Sequence, residues 1–323
     1  MFSVRFRSRL HTSSPSIQAI NYRRTRKRIR SGHRNTSHFT LTPVARIATR
    51  LSLIGFIGLG PATFTSLERP ADSVATSSTT STTLALPNTP FPFGIVNGAE
   101  PSGMGPPSSS ALPGFVQTYV SDFLGTRVPN GWNVFDGMPG GDPGAHFGRS
   151  HVKVGGGLLQ LLVYRDPHWH NKWVIGGLCH CGHPMRYGAF FVRSRLTGDG
   201  ANQAELLWPI SNRWPPEIDF SENGGRLNDM SFSVHYGAVN HIFQEAQRIN
   251  MSRWHTWGVV WTRSKVTFVV DGHAWGKDVV ASQIPTIPMR LDLEQRTKCD
   301  IDKLCPTHSE AMLVDWVAEY SLN

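Results

Sequence analysis

The first fifty residues contain no aspartate and no glutamate, against 12 lysines and arginines. This imbalance carries the basic character of the whole chain. Of 32 basic and 23 acidic residues in total, the remainder holds 20 basic and all 23 acidic ones, a net of −3. The folded part is therefore near neutral. It also lacks any basic stretch interleaved with aromatics, so no nucleic-acid partner is expected there. Long apolar runs are scarce too. "LSLIGFIGLGPATF" (51–64) is uncharged but shorter than the roughly 20 residues of a spanning helix. It fits a signal-peptide core preceded by a long basic n-region, with an uncleaved anchor as the alternative and the one expected route to a membrane. A start nearer Arg50 would give an ordinary signal peptide. The expectation is a secreted or cell-wall-associated protein.

No long segment has a helical period, and there is no internal repeat. Cysteine is sparse: Cys179, Cys181, Cys299 and Cys305. An even count in an exported chain suggests disulfides. Of the three connectivities, a Cys179–Cys181 bridge is expected to be strained. Pairing within 299–305, or across to 179/181, is easier to build. "CHCGH" (179–183) also offers zinc-type ligands, but no second half with finger spacing accompanies it, and a disulfide is preferred. No metal site is assigned.

Composition divides the chain. Residues 1–72 form the arm with its export signal or anchor. Residues 73–113, dominated by Ser, Thr, Pro and Gly, read as a disordered linker. The folded domain is expected over 114–323. Its candidate strands are short, rich in Val, Phe, Trp and Tyr, and bounded by Gly, Pro, Asn and Asp. They fall at 157–165, 188–196, 204–208, 217–222, 230–237, 255–262, 265–272, 289–295 and 311–322. "KVTFVVDGHAW" reads as a hairpin turning at Asp271-Gly272. The pattern predicts an all-β domain, a sandwich of two antiparallel sheets.

The chemistry lies in "PPEIDFSENGG" (215–225). Glu217 and Asp219 share a face of their strand, but Glu222, five positions from Glu217, would point into the core of a regular strand. An extra residue at Phe220-Ser221, a β-bulge, restores the parity and returns Glu222 to the acidic face, with Ile218 and Phe220 packed inward. Neighbouring carboxylates raise one another's pKa. Glycoside hydrolysis with retention requires such a pair, one ionised and one protonated, about 5–5.5 Å apart. A solvated acidic strand is the plain alternative. Trp208 and Trp214, flanking the acids in "LLWPISNRWPPEIDF", offer flat apolar faces for sugar rings. Trp254 and Gln295 are further substrate-binding candidates.

"EIDFSE" resembles the bulged E-x-D-x-x-E signature of laminarinase-like members of glycoside hydrolase family 16. "SVHYG" (233–237), "WHTWGVVWT" (254–262) with "VVDG" (269–272), "PMRLDLEQ" (288–295), "VDWVAEY" (314–320) and "YGAFFVRSRL" (187–196) resemble its other core strands, in the family's order. The resemblance covers most of residues 140–322. It implies a concanavalin-like jelly roll with a glycan cleft, Glu217 as nucleophile, Glu222 as general acid/base, Asp219 assisting, and His235 hydrogen-bonded to the cluster. It implies endo-acting cleavage of internal β-linkages in a polysaccharide substrate, with β-1,3 or mixed-linked glucan expected. No cofactor is required. A structural calcium is compatible with the family, although the sequence shows no dedicated ligand set. A monomer is expected. The pattern departs after "MRLDLEQ", where "RTKCDIDKLC" replaces a Gly-rich continuation, leaving galactans and other wall polymers open. The competing functions are a non-catalytic, lectin-like module and a cell-wall transglycosylase.

Overall fold

The computed structural model describes residues 89–140, 144–297, 299 and 305–323. The basic arm, the 51–64 stretch and residues 73–88 lie outside the described residues. Among those described, no helix is long and apolar enough to cross a membrane.

Two antiparallel sheets carry the domain. The first, the site sheet, has seven strands in the order His241–Arg248, Asp229–Tyr236, Glu217–Glu222, Asn202–Pro209, Met289–Arg296, Gly177–Cys179, Asn133–Val134. The second, the back sheet, runs His273–Val280, Lys265–Val270, His255–Trp261, Gly188–Leu196, Glu310–Leu322, Leu158–Asp166, Val152–Gly155. Phe115–Ser121 and Lys172–Ile175 pair onto this path at Glu310–Leu322 and Leu158–Asp166. All the predicted strands are present. The short or polar strands were not foreseen: His241–Arg248 alternates only between exposed and half-buried residues, so it carries no apolar signal. At the predicted hairpin, Asp271 and Gly272 both have positive φ (+49° and +80°), the pairing a two-residue type I′ turn needs.

The core lies between the sheets. Ile218, Phe220, Val234, Leu207, Leu291 and Leu293 from the site sheet meet Phe190, Val192, Trp257, Val259 and Val317 from the back sheet. Burying each large apolar side chain contributes about 1.5–3 kcal/mol. The strand Gly188–Leu196 is buried on both faces because a further layer covers the back sheet. There Phe191, Trp316, Ala318 and Tyr320 pack with Leu112, Phe91 and Phe115.

That layer corrects the domain boundary. Residues 89–113, expected to be linker, fold against the outer side of the back sheet. Ile95–Val96 pairs with Met104–Gly105, and the Trp316 indole N–H donates to Met104 O at 3.0 Å. Composition hides this because a few apolar residues (Phe91, Met104, Leu112) suffice when the sheet supplies the rest of the hydrophobic surface.

The disulfides join Cys179 to Cys181 and Cys299 to Cys305. The first is the pairing that the sequence reading placed as the harder to build. Cys179 ends its strand and Cys181 lies beyond it in a turn, so the Cα atoms sit 5.1 Å apart, within the ordinary disulfide range. Neither sulfur is then a thiolate ligand. The histidines of "CHCGH" turn instead to buried Glu319: the Nδ1 atoms of His180 and His183 each lie 2.7 Å from their own carboxylate oxygen.

Candidate active site

The strand Glu217–Glu222 carries the predicted bulge. Asp219 pairs with Ser233 and Glu222 with Ser231, so three steps on one strand match two on the next. On the other side, Leu206 pairs with Asp219 and Glu205 with Ser221, which leaves Phe220 as the extra residue. Ile218 and Phe220 are buried in the core, and Glu222 joins Glu217 and Asp219 on the outward face. Inside, Gln203 Nε2 donates to the Ser221 hydroxyl at 3.1 Å and so holds the bulge from behind.

The three acids line a cleft of about 610 Å³ with His235, Trp208, Trp214, Asn202 and Leu206. One polar atom from each of Glu217, Asp219 and His235 lies within 4.8 Å of the others. Each acid has its own donor. The Trp214 indole N–H donates to Glu217 Oε2 at 2.6 Å. The Ser233 hydroxyl donates to Asp219 Oδ2 at 2.6 Å. Asn202 Nδ2 donates to Glu222 Oε1 at 2.7 Å. His235 stands opposite Glu217 in the register. Its Nε2 is 3.5 Å from Asp219 Oδ2, an ion-pair distance, while its Nδ1 lies 2.9 Å from Asn240 Oδ1.

Burial dominates the electrostatics. It pushes Glu217 up to about 7, with Glu294 and Glu222 adding to the rise and the Trp214 bond and Arg296 opposing it. Asp219 is held well above the usual carboxylate range, first by burial and then by the charges of Glu217 and Glu222. The cluster therefore gives up negative charge more readily than isolated carboxylates would, and Glu217 itself is near its midpoint at neutral pH. Like charges at this spacing cannot all ionise.

Trp208 and Trp214 both line the cleft, and Trp214 is 45% exposed. Two other candidates do not reach it. Gln295 has the parity of Leu291 and Leu293, so it points between the sheets, where its Nε2 donates to Leu161 O at 2.9 Å. Trp254 precedes a back-sheet strand and lies under the Arg195 guanidinium, 5.3 Å from the ring centre. Arg193 is also on the back sheet, buried, and donates to Ser102 Oγ at 2.7 Å.

Ser233 and Asn240, bonded to the cluster, and Asn202, Glu294 and Arg296, lining the cleft, escaped the sequence reading. Ser233 was recoverable, since it sits two before His235 and shares its face. Asn202, Asn240, Glu294 and Arg296 gave no local signal. Glu294 and Arg296 reach the cleft from the strand Met289–Arg296, two strands from the acids. Arg296 Nε donates to Glu294 Oε1 at 2.6 Å, and its Nη1 to Gly140 O at 2.9 Å. Beyond them the cleft continues as a second compartment of about 360 Å³, walled by Phe135, Met138, Phe147 and Arg290.

Outside the cleft, on the outer side of the back sheet, Glu100 Oε2 and Asp315 Oδ1 are buried without a partner. Asp315 and Asp122 both push Glu100 up, after burial. Unsatisfied carboxylate oxygens are the kind of donor a hard cation such as calcium takes.

Two packed antiparallel sheets with clustered carboxylates on an outward cleft define the class: a β-jelly roll of the glycosyl hydrolase kind. The family model for glycosyl hydrolases family 16 matches residues 145–297, which include the bulged strand and all three acids, and this supports assigning the chain to that family. An endo-1,3-1,4-beta-glycanase, ExsH of Rhizobium meliloti, is 27% identical over 143 residues, which are 42% of this chain and 31% of that protein. Another from the same organism, EglC, is 33% identical over 93 residues, 27% of this chain and 20% of that one. The chain thus spans under a third of the length of either relative. Among solved structures, the laminarinase of Rhodothermus marinus superposes with a TM-score of 0.57 at 19% identity, covering 65% of this chain and 98% of that one. The laminarinase catalytic domain of Thermotoga maritima gives 0.56 at 16%, covering 64% and 98%. At these identities the structures speak for the fold.

Proposed function

We propose that this protein is a retaining endo-β-glycanase that cleaves internal β-linkages of a polysaccharide, with a β-1,3 or mixed-linked glucan as substrate. The observation that carries the reading is the bulge, which brings a third carboxylate back beside the other two. In the first step ionised Glu217 attacks the anomeric carbon. The bond to the leaving sugar breaks, and its oxygen takes the proton of Glu222. In the second, Glu222 takes a proton from water, whose oxygen displaces Glu217 from that carbon. Asp219, raised by burial and by the charges of Glu217 and Glu222, gives up its charge more readily than an ordinary aspartate and so leaves more of the negative charge to Glu217. His235 steadies Asp219 from the neighbouring strand. Trp208 and Trp214 supply apolar faces for sugar rings, with Trp214 also bonded to the nucleophile. The relatives named as endo-1,3-1,4-beta-glycanases support the substrate class.

The test is reducing-sugar release from a panel of β-glucans and galactans, with Glu217→Gln as control. Release by the wild type, lost in the variant and giving products of retained anomeric configuration by NMR, is expected. Binding without turnover by both proteins would establish the lectin-like alternative. Predominantly elongated products would establish a transglycosylase. The protein is further proposed to act outside the cell, which mass spectrometry of the secreted product checks through a mature start beyond about residue 70. A structural calcium would be held by Glu100 and Asp315, on the side of the back sheet away from the chemistry.

A further inference from the structure

We propose that Asn202 is the positioning residue for the acid/base carboxyl, and that it fixes which oxygen of Glu222 carries the transferable proton; this rests on the glycosidase reading above. The Asn202 amide is bound at both ends. Its Oδ1 accepts the backbone N–H of Gly224 at 2.7 Å, and its Nδ2 lies 2.7 Å from Glu222 Oε1. A backbone N–H can only donate, so the atom facing Gly224 is the amide oxygen. The NH₂ group then faces Glu222, and it too can only donate. Glu222 Oε1 is therefore the acceptor. In a carboxylic acid the carbonyl oxygen is the better acceptor and the other oxygen carries hydrogen, so the proton resides on Oε2.

Asn202 is well placed to hold this geometry. It is buried, at 6% exposure. Its neighbour Gln203 is bonded to the chain leaving the bulge: Asn223 Oδ1 accepts the Gln203 N–H at 2.8 Å and also that of Gly225, within the same turn, at 3.1 Å. The donor thus belongs to the same rigid unit that returns Glu222 to the cleft. Its effect grows along the reaction. As the C–O bond to the leaving sugar breaks, the Oε2 proton passes to the glycosidic oxygen and Glu222 becomes a carboxylate. The Asn202 bond to Oε1 then becomes charge-assisted and stronger. An interaction that strengthens toward the transition state accelerates the step.

The experiment compares two substrates with the same sugar portion: a β-glucan oligosaccharide, and its 2,4-dinitrophenyl glycoside, whose departure needs no proton. For Asn202→Leu, kcat/KM on the oligosaccharide should fall roughly ten- to hundredfold and on the aryl glycoside by less than about threefold. Asn202→Asp keeps the acceptor for Gly224 and places a second carboxyl against Glu222. It should move the alkaline limb of the oligosaccharide profile upward. Equal losses on both substrates, or an Asn202→Asp alkaline limb unmoved from wild type, would overturn the assignment. Should Asn202→Leu fail to fold, the Asn202→Asp profile decides. A wild type inert toward both substrates overturns the glycosidase reading itself. An active wild type, with azide rescuing Glu222→Ala on the aryl glycoside, keeps that reading while the Asn202 assignment stands or falls separately.

Discussion

Replacing Trp214 by phenylalanine isolates one hydrogen bond at the nucleophile. The indole N–H donates to Glu217 Oε2 at 2.6 Å and works against the burial that lifts Glu217 to about 7. Phenylalanine keeps a ring near His235, where the Trp214 and His235 ring centres are 5.4 Å apart, but it has no donor. A hydrogen bond to a carboxylate contributes about 1.5–3 kcal/mol. Trp214 is 45% exposed, so the low end applies, about 1.5 kcal/mol or roughly tenfold in the ionised fraction of Glu217. The sign is fixed: losing a donor to the charged form raises the pKa, so the acid limb of kcat/KM moves to higher pH. At pH 6 the nucleophile is roughly one-tenth ionised in the wild type and roughly one-hundredth in the variant, a tenfold deficit. At pH 9 both are almost fully ionised, and the deficit should nearly vanish. The assay is kcat/KM on a soluble β-glucan oligosaccharide from pH 5 to 9. A loss of constant size at every pH would show that Trp214 acts only as a sugar platform and would refute the electrostatic reasoning.

Two further outcomes bear on stability. Glu310 is raised to about 7, chiefly by burial, while its Oε1 accepts the Ala201 N–H at 2.6 Å. Its folded pKa lies above the unfolded one, so its contribution is fully present below about 4.5 and lost as pH rises through about 7. Glu310→Gln keeps the acceptor and removes the charge. Thermal denaturation should show Tm nearly unchanged at pH 5 and raised at pH 8, by several degrees for on the order of 2 kcal/mol after solvent screening. An equal shift at both pH values would contradict it. For the calcium site, EDTA should lower Tm and added calcium restore it, with Asp315→Asn abolishing the calcium-dependent part. A Tm indifferent to both reagents would remove calcium from the back sheet.

Much of this protein could be read from local pattern. Strand periodicity is a property of adjacent residues, so the main strands, the Asp271-Gly272 turn and the all-β class were legible. Parity made the bulge legible as well. Five steps from Glu217 to Glu222 with apolar Ile218 and Phe220 between them admit an outward Glu222 only if one residue is extra. Gln295 and Trp254 failed because chemical suitability for sugar contact says nothing about which face a side chain takes. For Gln295 the deciding parity was already visible in Leu291 and Leu293.

The amino-acid sequence by itself determined the alternation of its strands, the need for an irregularity at Phe220-Ser221, and the identity of the three acids. Tertiary structure alone decided what surrounds those acids. Asn202 and Glu294 meet the cluster from different strands, and residues 89–113 find their hydrophobic partners on a sheet far along the chain. Contacts of that kind depend on which strands lie side by side, a choice set by the packing of the whole core rather than by the spacing of neighbouring residues.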